Sequence, residues 1–151
     1  MPLVISPIVM TLRNTDPGST ALSQATAGGA RRRTPAAVKW LRAVDPATLF
    51  LSVITIGEIA KGIALRARTD PVAAAGLDEW LDTLRRIYTD RILAIDDAVA
   101  VTSGRLMAQR TRPTVDTLIA ATARVHSLVL VTRNVTDFAD TGVDVINPWA
   151  A

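Results

Sequence analysis

The sequence predicts an α/β fold, with helices on both faces of a mainly parallel sheet. Two observations predict it. Short apolar runs rich in β-branched residues alternate with segments of helical hydrophobic period. Within those runs successive residues are apolar, instead of every second one, so each strand is buried on both faces. Joined by right-handed crossovers, this alternation gives a three-layer α/β/α sandwich with a mainly parallel central sheet.

The elements follow in order. Residues 3–10 (LVISPIVM) offer a strand that Pro7 interrupts, and residues 14–34 are rich in Gly, Ser, Thr and Ala, the composition of a loop or weak helix. Residues 35–44 read as a helix with Thr34 as N-cap, Pro35 in its first turn, and Val38, Leu41 and Trp40 on the buried face. Residues 48–55 (TLFLSVIT) form a buried strand bounded by Pro46 and Gly57, with a helix over 56–67 behind it. Residues 71–88 form a long helix with Val72, Leu77, Trp80, Leu81, Leu84 and Ile87 at helical spacing. Residues 91–95 are a short strand leading into a helix over 97–109. After Pro113 comes an Ala-rich helix over 116–126, and residues 128–132 and 143–146 complete the strands.

The chain of 151 residues is long enough for one hydrophobic core, and 49% hydrophobic against 21% charged residues is a globular composition. There is no cysteine, which excludes disulfides and thiolate metal sites and makes a reducing cytoplasm the expected compartment. A net charge of +3, carried almost wholly by arginine, is compatible with a polyanionic partner. No apolar run approaches the roughly 20 residues of a membrane span, so no membrane role is expected.

In open α/β sheets the working site lies beyond the carboxyl ends of the strands. Glu58 falls three residues after the strand over 48–55, Asn134 and Asp137 closely follow the strand over 128–132, and Asp116 opens the Ala-rich helix. Three acids and one amide from distant segments thus meet at one edge. Hard oxygen donors without His or Cys suit Mg²⁺ or Mn²⁺. Each residue also has a plainer reading. Glu58 and Asp116 can be acids favoured by a helix N-terminus, and Asn134 and Asp137 can be turn residues. Asp96, Asp97 and Glu79 read as solvated or capping charges, His126 as a surface or C-capping residue, and Arg31–Arg33 as a solvated run.

Four motifs in order carry a family resemblance: LSVITIGEIAKGI (51–63), VDTLIAATA (115–123), LVLVTRNVTDF (128–138) and INPW (146–149). Together they resemble the VapC and FitB branch of PIN-domain proteins, over residues 35–149. The resemblance implies a PIN-like sandwich over 35–151 behind a divergent segment, 1–34. It also implies an Mg²⁺- or Mn²⁺-dependent endoribonuclease toxin that forms a homodimer and is held inactive by a VapB-type antitoxin. Glu58 and Asp116 stand at the family's second and third carboxylates, Asn134 at the fourth position with Asp137 beside it, and Thr132 at the strand-end hydroxyl, as an expected substrate contact. Arg133, next along, is the expected contact to RNA.

The departure is at the front. The family opens with an apolar strand ending in Asp-Thr-Asn, whose aspartate is a principal metal ligand. Laid on without gaps, Gly18-Ser19-Thr20 falls at that place, and Asp16 substitutes only if the register shifts. Two readings follow: an active ribonuclease holding its ion with Glu58, Asp116, Asp137 and a shifted Asp16, or a catalytically impaired protein that still dimerises and binds its antitoxin. A phospho-acceptor domain needs paired acids after the first strand and a lysine after the last ones. The chain has neither, its lysines being Lys39 and Lys61.

Overall fold

The computed structural model describes residues 10–13 and 33–150. In chain order they form β1 (Met10–Arg13), α1 (Arg33–Ala43), β2 (Leu49–Ser52), α2 (Val53–Ala67), α3 (Pro71–Ile87), β3 (Ile92–Leu93), α4 (Asp97–Gln109), α5 (Thr114–Val125), β4 (Leu128–Val131) and β5 (Val145–Ile146).

Local caps decide where most of these begin. Ser52 ends β2 and its hydroxyl accepts the Ile54 N–H at 3.1 Å, so α2 starts at Val53 and takes in Ile54 and Thr55. Those residues were expected in the strand. Their β-branched preference is weak beside a satisfied cap, which is worth about 1 kcal/mol. Asp70 accepts the Ala73 N–H at 3.0 Å with Pro71 behind it, and Asp96 accepts the Val99 N–H at 2.9 Å, fixing the starts of α3 and α4. Helix α1 begins at Arg33, so Thr34 lies inside it and is not its cap.

The sheet order is β3-β2-β1-β4-β5. β2 with β3 and β4 with β5 pair in parallel, whereas β1 pairs antiparallel with both β2 and β4. Four strands therefore share one direction, as expected, and the central one opposes them. β1 also lies later than the strand read at 3–10. Met10 sits opposite Val131 and Leu51, and Arg13 opposite Leu128, so β1 runs from the carboxyl edge of its neighbours toward their amino edge. Without it, β2 and β4 would each leave a row of backbone groups unpaired inside the protein, at a cost comparable to lost hydrogen bonds.

Both faces of the sheet are covered. Leu128 and Leu130 of β4 pack with Val99 and Leu106 of α4, Ile119 to Ala123 of α5, and Phe138. Val129 and Val131 turn to the other face and join Leu49, Leu51, Trp40 and Tyr88. Fully burying one such Leu or Val contributes about 1.5–3 kcal/mol. In α1 Trp40 is buried, at 7% exposed, while Leu41, expected beside it on the buried face, is 42% exposed. The indole fills the space over β2, and its neighbour is turned about 100° away around the helix.

Helix α3 leans on α2 through Ala74, Leu77, Leu81 and Leu84. Val72, Trp80 and Ile87, expected on its buried face, are 83%, 36% and 61% exposed. Among the described residues α3 packs mainly on α2, so a narrow stripe suffices to bury it. Among the described residues, no helix is long and apolar enough to cross a membrane.

Candidate active site

The carboxyl edge of β2 and β4 is where the acids gather. Asp116 is in the first turn of α5, where the exposed N–H groups favour an anion. Its carboxyl is pushed above the usual aspartate range, first by burial, then by the charge of Asp137, then by that of Glu58. Two acids distant in sequence therefore act on Asp116. Glu58 sits one turn deeper in α2 than expected because that helix starts early. It is half-exposed, with Lys61 Nζ at 4.0 Å on the same helix.

Asn134 and Asp137 lie in the turn that follows β4. The Thr132 hydroxyl accepts the Asn134 N–H at 3.1 Å, and the Asn134 amide donates to Asp137. The amide thereby orients the carboxylate that raises Asp116. Thr132 is fully buried, and its hydroxyl shapes the turn from beneath. Arg133 points outward with its guanidinium over the Trp149 ring, 5.4 Å from the centroid. The Asn147 amide donates to the Arg133 carbonyl at 3.3 Å, so the INPW ending braces this turn. In the sequence, the signal for this brace is the polar Asn147 and aromatic Trp149 that follow β5.

Asp16 and Gly18 lie outside the described residues. His126 is the exposed C-cap of α5, and Asp96 caps α4; neither joins the acids. A shallow groove lined by Glu79, Asp82, Thr83, Arg85, Arg86 and Thr89 lies on α3 and the turn after it, and none of the site acids lines it.

The donor set allows one kind of metal. Every candidate ligand is a hard oxygen. Among the described residues, however, no three acids, histidines or cysteines converge closely enough to cage an ion. The two facts agree, since like charges are felt over longer distances than the 2.0–2.6 Å or so of ligation. Such oxygen donors suit a hard divalent cation that keeps several of its waters and takes one or two carboxylates.

The PIN domain family description matches residues 21–143. The plasmid stability protein StbB of Pseudomonas syringae is 34% identical over 131 residues, covering 80% of this chain and 91% of StbB. Toxin FitB of Neisseria gonorrhoeae is 30% identical, covering 74% of this chain and 84% of FitB. VapC ribonuclease Y4jK of Sinorhizobium fredii is also 30% identical, covering 76% and 84%. Among solved structures, the FitAcB crystal structure from Neisseria gonorrhoeae superposes with a TM-score of 0.71 at 28% identity, covering 87% of this chain and 95% of that one. FitAB bound to an IR36 DNA fragment gives the same TM-score at 27% identity, covering 81% and 88%. Sequence and architecture agree: this chain belongs to the PIN-domain family, in the branch of the VapC and FitB toxins.

Proposed function

We propose that the protein is a divalent-metal-dependent endoribonuclease toxin of a toxin–antitoxin pair. The observation that carries this reading is the raised carboxyl of Asp116, lifted by burial and by the charges of Asp137 and Glu58. A protein gathers like charges at one edge for a counter-ion or a reaction more readily than for stability. The VapC ribonuclease relatives and the FitAB assemblies support the reading from outside the chain.

Asp116 with Asp137 or Glu58 would hold Mg²⁺ or Mn²⁺, which when bound neutralises charge on the phosphate under attack. Asn134 holds the Asp137 carboxylate, whose charge acts on Asp116. Arg133, stacked on Trp149, contacts a neighbouring RNA phosphate. The partners are RNA, a VapB-type antitoxin and a second copy of the chain, in the cytoplasm. A fluorescent RNA incubated with purified protein and Mn²⁺ tests the chemistry: cleavage lost in Asp116→Ala supports it, and cleavage that survives Asp116→Ala overturns it.

One observation favours the second reading, an impaired enzyme that keeps its partners. β1 runs away from the acidic edge, Arg13 lying opposite Leu128, whereas the family's first strand delivers its aspartate to that edge. On this reading cleavage by the wild type is weak. Asp16 would then contribute no ligand, and Asp16→Ala would leave Mn²⁺ affinity unchanged.

A further inference from the structure

Arg112 carries a charge into the interior: its side chain is 2% exposed. Taking a guanidinium out of water is unfavourable unless partners replace the lost hydration, so its partners show what holds it there. Nη1 donates to the Leu106 carbonyl in α4 at 2.8 Å, and Nη2 donates to Asp140 Oδ2 at 2.8 Å. Nε finds no partner. Arg110 Nη1 donates to the same Asp140 oxygen at 3.1 Å. The Arg112 hydrogen bond holds the Asp140 carboxyl below the usual carboxylate range.

One carboxylate therefore gathers both arginines of the α4–α5 connection. Pro113 follows Arg112 directly, and Asp116 stands in the first turn of α5 just beyond it. At the other end, Asp140 lies at the close of the turn whose 3-10 segment, Thr136–Phe138, contains Asp137. The ion pair thus bridges the two segments that bring Asp116 and Asp137 together. Arg124 Nη1 reaches the Thr141 carbonyl at 3.4 Å, a second tie from the far end of α5 to the same turn.

We propose that Arg112 and Asp140 are positioning residues that set the separation of Asp116 and Asp137 for a divalent ion. In naming the ion, the proposal rests on the ribonuclease reading. Arg124 and the buried Phe138 tie α5 to the turn after β4 from beyond its first turn, so the ion pair is what anchors the α4–α5 connection itself, and a shift there changes how many carboxylates an ion can reach.

The test is Mn²⁺ binding to the full chain by electron paramagnetic resonance, beside thermal melting. Asp140→Asn, which keeps size and shape, is expected to weaken Mn²⁺ binding about 10-fold, the usual scale for groups that orient metal ligands. Arg110→Ala, at an exposed partner of the same carboxylate, is expected to weaken it less while the fold is kept. Leu81→Ala in the α2–α3 cluster lowers the melting temperature from a distance and is expected to leave Mn²⁺ affinity unchanged. A folded Asp140→Asn that binds Mn²⁺ as the wild type does overturns the clamp alone. Wild-type protein that binds no Mn²⁺ overturns the ribonuclease reading and the clamp's purpose with it.

Discussion

Asp116→Asn should change the sign of its effect on stability when a divalent ion is added. Without metal, the Asp116 carboxylate is partly buried beside Asp137 and Glu58, and its charged form is penalised in the folded state. The neutral amide removes that penalty at nearly constant volume, so the variant should melt higher than the wild type in EDTA at neutral pH. The pH dependence fixes the sign. Between the unfolded value of 3.8 and the raised folded value, the native state binds more protons than the unfolded chain, so wild-type stability falls as pH rises through that window. The variant's advantage should therefore vanish below the unfolded value, grow across the window and level off above it.

Adding ion reverses the order. A ligand at a hundred times its Kd stabilises the native state by about 2.7 kcal/mol. For a chain of this size each kcal/mol moves the melting temperature by about 2–4 °C, which gives a wild-type rise of about 5–11 °C. The variant, with its central carboxylate gone, should show a small fraction of that rise. Differential scanning fluorimetry in EDTA and in MnCl₂ over a pH series reads both effects. A variant that melts below the wild type in EDTA would show that Asp116 is not under repulsion, and the argument for an ion at this edge would fail.

Other perturbations separate the site from the scaffold. Asp96→Ala removes the cap on Val99 and should cost about 1 kcal/mol, a drop of a few degrees in melting temperature, with Mn²⁺ affinity unchanged. Phe138→Ala empties a position 1% exposed between α5 and the turn that carries Asp137; a loss of about 3–5 kcal/mol in urea unfolding is expected, and less than 1 kcal/mol would contradict its place in the core. Arg133→Ala should lower RNA affinity and flatten its dependence on salt by roughly one phosphate contact, read by fluorescence anisotropy at several salt concentrations.

The sequence by itself determined the layers and the identity of the acids. Short apolar runs bounded by turn residues marked the buried strands, and the acids stand where such strands hand over to helices, because short-range patterning survives into the folded state. The cap at Asp96 was legible for the same reason: it depends on a few adjacent residues. The start of α2 depended on a competition between the Ser52 hydroxyl and a β-branched run, which composition alone does not rank. The direction of β1, the clamp of Arg112 on Asp140 and the burial of Thr132 belonged to the tertiary structure. Strand pairing and buried ion pairs are set by partners distant in sequence, and a linear pattern carries no record of which distant group will meet which.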